Sequence, residues 1–315
     1  LLKTLLKIII NLINQIKIIN MKKIIVVTGG AGFVGSNLIE LLVKKTKYNI
    51  ISIDDYSSGI KKNHVINKRV KYFYCHTKNI EKKLNNYKDQ INSIFHFGEF
   101  SRIYQSFLNM DKCIESNTIG SNAVFNFCLN NKIKLIYSAT SASLGNHGLD
   151  KNLSPYAFTK SKNLELLENL KNWFNFRYEI IYFYNVYGPR QICRGDMATV
   201  IGIFEEKYKN KKPLPVVKPG SQTRRFTHIK DTIEVCYLAW KKNKCRHYSI
   251  SNRKSFSILD VAKMFKSKIV LLKKRPGERY ASALTTMNLS NKVHKKFGKI
   301  NLKNYIENFI SRSKR

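Results

Sequence analysis

The chain has 315 residues, of which 43% are apolar and 24% are charged. These ordinary values exclude intrinsic disorder, and at about 150 residues per domain the length indicates two domains. The formal net charge of +37 is spread along the whole chain. We therefore interpret it as a solvated surface, and we expect no specific nucleic-acid partner.

The first twenty residues, LLKTLLKIIINLINQIKIIN, precede Met21 and carry leucine and isoleucine at helical spacing, interrupted by lysine and asparagine. The interruptions argue against a membrane span, and no small-residue cleavage site of a secretory signal follows. We expect residues 1–20 to be a non-native or read-through extension. The alternative is a basic helix on a membrane surface, so membrane association is expected only if the segment is genuine.

From Lys22 onward, short apolar runs alternate with helical patterns. This alternation predicts βαβ units and a doubly wound parallel sheet, a Rossmann-type α/β fold. The predicted strands are 23–28, 50–54, 70–74, 93–97, 134–138 and 179–184. The predicted helices are 34–45, 114–130 and 155–174. After residue 188, prolines separate shorter elements, which indicates a smaller mixed region packed over the carboxyl ends of the strands.

The six cysteines are scattered, with no C-x-x-C pair and no histidine at zinc spacing. We interpret them as reduced thiols of a cytoplasmic protein, and we expect no metal site. They are Cys75, Cys113, Cys128, Cys193, Cys236 and Cys245.

A glycine-rich segment follows the first predicted strand, where IIVVT leads into GGAGFVG at 29–35 and then a helix. G-x-G-x-x-G in this context is typical of dinucleotide sites, because glycine lets the backbone approach a pyrophosphate and the helix N-terminus favours its charge. We assign cofactor binding to Gly29, Gly32, Phe33, Val34 and Gly35.

Asp54 ends the next predicted strand, where a carboxylate accepts hydrogen bonds from the adenosine ribose. Its charge repels a 2′-phosphate and no arginine follows directly, so NAD is predicted over NADP. The alternative is that Asp54 and Asp55 are only a pair of loop carboxylates. The expected division is an NAD-binding Rossmann domain over 21–187, with room for later strands to return to it, and a mainly substrate-binding region over 188–315.

Tyr156 and Lys160 form Y-x-x-x-K, which places a phenol and an ammonium on one helix face. The pattern alone is weak evidence. Here it follows the strand segment LIYSAT at 135–140, whose end is expected beside the nicotinamide, and the combination predicts a reactive group.

At this point the chain, from about Lys22 to the C-terminus, resembles the extended short-chain dehydrogenase/reductase family, particularly its nucleotide-sugar epimerases such as UDP-glucose 4-epimerases. TGGAGFVG at 28–35 matches the family's glycine motif, IFHFG at 94–98 its fourth-strand signature, and YSATSASLG at 137–145 the segment of the catalytic Ser/Thr. The resemblance implies the catalytic residues Thr140, Tyr156 and Lys160. It also implies cofactor contacts from Phe97, Gly98, Asn117, Ser138, Tyr156 and Lys160.

Three further segments resemble the family's substrate side: YNVYGPR at 184–190, GSQTRRFTHIKD at 220–231 and RPGE at 275–278. They imply that Asn185 contacts the sugar nucleotide and that Arg224 and Arg275 lie near its diphosphate. Arg102, a cation near the predicted sugar position, is a further candidate contact, with a surface ion pair as the alternative.

Several residues depart from the family pattern. Glu99 and Arg102 replace residues that are commonly small, Arg225 replaces the aspartate of R-D-F, and His76 stands where an aspartate usually contacts adenine. Their roles and the identity of the sugar stay open. We also predict that His96 and Trp173 are packed residues without a chemical role.

The resemblance implies an NAD-dependent nucleotide-sugar epimerase, with UDP-hexose 4-epimerisation as the expected reaction. Tyr156 would remove the O4 proton while C4 passes a hydride to NAD⁺ and Thr140 bonds the same oxygen. The transient 4-keto sugar would then turn and take the hydride back. A phenol has a pKa near 10, and Lys160 together with the nicotinamide can lower it by roughly three units.

Three alternatives stay open. A nucleotide-sugar ketoreductase would use the same residues. A 4,6-dehydratase is disfavoured, because Ser141 and Ala142 stand where an Asp-Glu pair is typical. A non-catalytic NAD-binding regulator is disfavoured by the complete Thr/Tyr/Lys group. The family usually dimerises through two helices per subunit, including the one with Tyr156, which implies a homodimer.

Overall fold

The computed structural model describes residues 23–144, 150–277 and 293–313. The expectation for residues 1–20, and the motif residues Gly145 and Glu278, lie outside these ranges. The strands are β1 (Ile24–Thr28), β2 (Asn49–Asp54), β3 (Val70–Tyr74), β4 (Ile91–His96), β5 (Lys134–Thr140), β6 (Tyr178–Phe183), β7 (Val186–Tyr187), β8 (Leu214–Val217), β9 (Thr223–Arg224), β10 (Thr227–His228), β11 (His247–Ser251), β12 (Phe256–Ser257), β13 (Ile269–Leu272) and β14 (Val293–Phe297).

The helices alternate with these strands. They are α1 (Phe33–Lys45), α2 (Ile80–Leu84), α3 (Ile103–Leu108), α4 (Met110–Ile114), α5 (Ser121–Asn130), α6 (Pro155–Phe174), α7 (Val200–Lys209), α8 (Ile229–Trp240), α9 (Ile258–Met264) and α10 (Leu302–Ser313). Each α-helix in the described ranges is too short or too polar to cross a lipid bilayer.

Eight strands form one parallel sheet in the order β3-β2-β1-β4-β5-β6-β11-β14. The side chains of β1 show why it is central. All five are buried, with Ile24 and Val26 in one apolar cluster and Ile25 and Val27 in another. Helices α2, α5 and α6 cover the first face, and α1 and α8 cover the second. The predicted Rossmann-type fold is confirmed.

The region after β6 builds a third apolar cluster from α7, α9, α10 and β8. It carries three short strand pairs, β7–β10, β8–β13 and β9–β12. The chain also returns twice to the main sheet, as β11 and β14. The small region is therefore tied to the sheet edge beside β6.

Two sequence predictions differ from the structure. The helix predicted over 114–130 is interrupted by a π-helical turn, Glu115–Gly120, in which Gly120 packs so closely on Thr77 that a Cβ would lie 2.3 Å from its Oγ1. Trp173, predicted to be packed, is 63% exposed. The last turn of α6 extends past the apolar cluster on which the rest of the helix packs. His96 is fully buried, as predicted.

Candidate active site

The glycine turn after β1 lies against the end of β4. Gly29 has φ +68°, and its N–H donates to the Ile53 carbonyl oxygen at 2.8 Å. A Cβ on Gly29 would lie 2.9 Å from the Phe97 carbonyl carbon and from the Gly98 nitrogen, and a Cβ on Gly35 would lie 2.1 Å from the Gly29 oxygen. Only glycine satisfies this packing at both positions.

The N-terminus of α1 opens onto this turn. Gly32 is the N-cap residue and has no side-chain cap, and no acidic residue lies in the first helical turn. Phe33 is buried and Val34 is half-buried. Uncapped N–H groups and the helix dipole favour an anion here, so the turn fits the pyrophosphate of a dinucleotide.

Asp54 ends β2 next to the same turn and is 6% exposed. Its Oδ2 accepts a hydrogen bond from the Ala31 N–H and its Oδ1 from the Tyr56 N–H, each at 2.8 Å. Burial raises the pKa of Asp54, and the two N–H donors oppose this rise. A carboxylate keeps further lone pairs after two such bonds, so Asp54 fits the role of acceptor for ribose hydroxyls.

The elements that carry the predicted catalytic residues are joined by Lys160. Ser154 caps α6 by accepting from the Ala157 N–H at 3.1 Å, and Tyr156 lies in the following turn. Lys160, one turn later, is 3% exposed, and its Nζ donates to the Ser138 carbonyl oxygen at 2.5 Å. This bond holds α6 against β5, the strand that ends at Thr140.

Thr140 is buried, whereas Tyr156 is only half-buried. Thr140 is 7% exposed, and its Oγ1 accepts from the Ala142 N–H at 3.1 Å. Tyr156 is half-buried, and its backbone N–H donates to Ser106 Oγ at 3.2 Å. The tyrosine helix is thereby tied to α3 as well as to β5.

The ends of β1, β4 and β5 are joined by side-chain hydrogen bonds. Thr28 Oγ1 accepts from the N–H groups of Phe97 and Gly98 at 3.1 and 3.0 Å. Ser138 Oγ donates to the His96 carbonyl oxygen at 3.0 Å. The predicted cofactor residues of these three strands therefore lie together near the carboxyl ends of the strands.

Asn117 lies in the π-helical turn, fully buried. Its Oδ1 accepts from the Phe100 N–H at 2.7 Å, and its Nδ2 donates to the Phe100 oxygen at 3.0 Å and to Thr159 Oγ1 at 3.2 Å. The amide thus links the loop after β4 to α6. Its role as a cofactor contact stays a prediction.

The model of the NAD dependent epimerase/dehydratase family matches residues 25–251. The chain belongs to this family. Its members depend on NAD, and the glycine turn, the uncapped helix and Asp54 fit that cofactor. The sequence-based resemblance is confirmed at this level.

Relatives agree with this membership. A putative UDP-glucose 4-epimerase of Methanocaldococcus jannaschii is 28% identical over 275 residues, covering 81% of this chain and 88% of the relative. The structure of UDP-glucuronic acid 4-epimerase from Bacillus cereus, in complex with UDP-glucuronic acid and NAD, is 26% identical with a TM-score of 0.78, covering 92% of this chain and 99% of that one. The UDP-glucose 4-epimerase of Thermotoga maritima, at 22% identity, shares the fold with a TM-score of 0.80, covering 91% and 97%.

This epimerase/dehydratase chain has a buried carboxylate beside its lysine that sequence reasoning left without a role. Glu99 forms an ion pair with Lys160, and the two side chains are 2% and 4% exposed. Glu99 Oε1 also accepts from Ser121 Oγ at 2.8 Å and from the Tyr137 hydroxyl at 2.9 Å. The available signal was the departure from a small residue at this position, which did not reveal the partner.

Burial dominates the electrostatics of this cluster. It lowers the pKa of Lys160, whereas Glu99 raises it. It lowers the pKa of His96 to about 4, and burial and Glu99 together raise the pKa of Tyr137. Near neutral pH, His96 and Tyr137 are therefore uncharged.

The predicted substrate residues of this family member lie on several elements. Asn185 follows β6, and its Nδ2 donates to the Arg225 carbonyl oxygen at 3.4 Å. Arg224, on β9, is 7% exposed. Arg275 is exposed, with its guanidinium carbon 5.0 Å from the centre of the Tyr104 ring.

Arg102 and Arg225, two further departures from the family pattern, bind backbone carbonyl oxygens. The guanidinium of Arg102 donates through Nε and Nη2 to the Met197 carbonyl oxygen at 3.0 and 2.6 Å. The surface ion pair considered for it does not form within residues 23–144, 150–277 and 293–313. Arg225 Nη1 donates to the Asn252 carbonyl oxygen at 2.9 Å, which ties its loop to the end of β11.

Proposed function

We propose that this protein is an NAD-dependent nucleotide-sugar epimerase that inverts C4 of a UDP-hexose. The observation that carries the proposal is the bond from Lys160 to the Ser138 carbonyl. This bond holds α6, which carries Tyr156, against β5. The glycine turn and Asp54 lie at the same, carboxyl end of the parallel strands. Family membership and the named relatives support the same reaction class.

In the proposed mechanism the backbone at Gly29, Gly32 and Gly35 would hold the pyrophosphate, and the Asp54 carboxylate would accept hydrogen bonds from the ribose hydroxyls. When bound, NAD supplies a reversible acceptor for the hydrogen on the sugar carbon. Tyr156 takes the proton from O4 and later returns it, so it needs a nearby cation to act as a base near neutral pH. Lys160 supplies that charge from the same helix face.

Thr140 would hold the reacting oxygen through its hydroxyl. Because Ser141 and Ala142 directly after it carry no acid, elimination of water has no proton donor there, which supports epimerisation over 4,6-dehydration. We assign Arg224 and Arg275 to the diphosphate, since guanidinium groups pair with phosphate oxygens. We assign Asn185 and Arg102 to contacts with the sugar nucleotide.

We also assign NAD binding to residues 21–187 and most substrate contacts to residues 188–315. The free cysteines among the described residues favour the cytoplasm, where thiols stay reduced. A role in carbohydrate metabolism follows from the substrate class.

A homodimer completes the proposal. An exposed apolar surface runs along α3, α4, the π-helical turn and the start of α6, around a cleft of about 340 Å³. Exposed patches of this kind mark interaction surfaces. Its apolar residues are Phe107, Leu108, Met110, Ile114, Ile119, Leu153 and Phe158. Light scattering should give twice the chain mass for the wild type and a smaller mass for Phe158→Lys; a wild-type monomer would contradict the dimer.

The deciding experiment for the function incubates the purified protein with a panel of UDP-hexoses, UDP-N-acetylhexosamines and UDP-uronic acids. Products are resolved by NMR while NADH absorbance is followed. We expect a C4 epimer to accumulate with no net change in NADH. Stoichiometric loss of added NADH would identify a reductase, and no conversion of any sugar would contradict the proposal.

A further inference from the structure

The ion pair between Glu99 and Lys160 is unusually enclosed for a group that the proposed reaction uses. The Glu99 carboxylate contacts the Lys160 ammonium, and its other oxygen accepts from Ser121, Tyr137 and, at 3.3 Å, Asn163 Nδ2. These partners come from α5, β5 and α6. The carboxylate is therefore held in one orientation by three elements, and its charge is compensated by hydrogen bonds as well as by the ammonium.

No other anion of the described residues contacts this ammonium. The Tyr137 ring centre lies 4.6 Å from Lys160 Nζ, and this tyrosine is protonated. Cys113, on α4, has a pKa raised to about 11 by burial, so its thiol is neutral. His96, on β4, is neutral as well. Arg102 interacts electrostatically with Tyr156, the proposed base on the same helix as Lys160.

A buried ammonium without a counter-charge tends to lose its proton, because the protein interior solvates the charged form poorly. We propose that Glu99 is a positioning residue that holds the Lys160 ammonium at Ser138 of β5, one helical turn after Tyr156, and keeps it charged at working pH. This inference rests on the proposed function for its catalytic consequence. Its structural part concerns the ammonium alone and can be tested without cofactor or substrate.

The first test compares Glu99→Gln with Glu165→Gln in the cofactor-free, full-length protein. Glu165 is a matched control, because it pairs with Lys162 on the same helix but at the surface, where the side chains are 50% and 53% exposed. Lysine side chains are labelled with ¹⁵N, and the Lys160 signal is assigned by its absence in Lys160→Met. We expect Glu99→Gln to lower the titration midpoint of Lys160 by about one to three pH units, and Glu165→Gln to leave it unchanged.

An unchanged Lys160 midpoint in Glu99→Gln would overturn the proposal. If that variant does not fold, the wild type still decides, since a neutral Lys160 amine near neutral pH would overturn it equally. Glu99→Asp keeps the negative charge, so its Lys160 titration midpoint should lie closer to that of the wild type than to that of Glu99→Gln.

The second test is the pH profile of turnover. In Glu99→Gln the alkaline limb should move to lower pH, so that activity falls more at alkaline than at neutral pH. Glu99→Asp should restore the limb in part. An equal loss of turnover at every pH would mean a merely structural role and would overturn the inference. If the wild type converts no nucleotide sugar, the proposed function fails, whereas the lysine titration still tests Glu99.

Discussion

Replacing Gly35 by alanine tests the packing of α1 on the glycine turn. The added Cβ would lie 2.1 Å from the Gly29 oxygen and 2.8 Å from the Gly29 carbonyl carbon and the Gly30 Cα. All three are backbone atoms, so no side chain can rotate away. To reach ordinary contact at 3.4 Å, the helix and the turn must separate by about 1.3 Å. Overpacking of this kind costs about 3 kcal/mol, the upper end of its usual range.

The same displacement moves the helix N-terminus away from the pyrophosphate position. We therefore expect the affinity for NAD to fall at least about tenfold, which corresponds to about 1.4 kcal/mol. Urea unfolding and calorimetric titration with NAD measure the two effects. Gly32→Ala is the graded comparison, because its Cβ meets only the Gly29 oxygen, at 3.1 Å. Wild-type unfolding and wild-type NAD affinity in Gly35→Ala would refute this reasoning.

Three further predictions concern single side chains. Asp54→Asn should lower the affinity for NAD about tenfold and reduce the ratio of the affinities for NAD and NADP, both measured by calorimetry. An unchanged ratio would refute the role of Asp54. Burial lowers the pKa of His96 to about 4, so the histidine of the unfolded state binds a proton first as the pH falls below about 6.5. Between these two pKa values the free energy of unfolding of the wild type should fall by up to about 3 kcal/mol. His96→Gln lacks this titrating group and should not show that fall. Equal pH dependence of urea unfolding in the two proteins would contradict this. Lys134 donates to the last carbonyl oxygens of α8, and its Nζ lies 3.8 Å from the buried Glu179 carboxylate. Lys134→Met should therefore lower the free energy of unfolding by about 3 kcal/mol, because it leaves Glu179 buried without this cation. Thermal unfolding compares it with Lys71→Met at an exposed site, and equal melting temperatures would refute the prediction.

Local signals explain what the sequence predicted well. The helix over 155–174 was predicted with both ends correct, because Ser154 caps it, Pro155 suits its first turn, and Asn175 ends it in the left-handed conformation at φ +53°. The glycine turn was equally legible. Its residues adjoin in sequence, and the apolar run before them and the helical pattern after them predict a strand, a turn and a helix.

Features that depend on tertiary contacts were not predictable. Glu99 and Lys160 are distant in sequence and meet only because β4 pairs with β5 and α6 packs on β5. The π-helical turn at Asn117 depends on the loop that its amide binds. Trp173 was expected to be packed from its apolar character, but apolar character does not reveal how far a helix extends beyond its own core.

In the proposed mechanism one sugar carbon is oxidised and then reduced within a single site. The most direct measurement uses a UDP-hexose carrying deuterium at C4, with the protein in ordinary water and the product examined by NMR. We expect the epimer to keep its deuterium at C4, because the hydrogen is transferred away and back without exchanging with solvent. An epimer that has exchanged this deuterium for solvent hydrogen would rule out hydride return within the site.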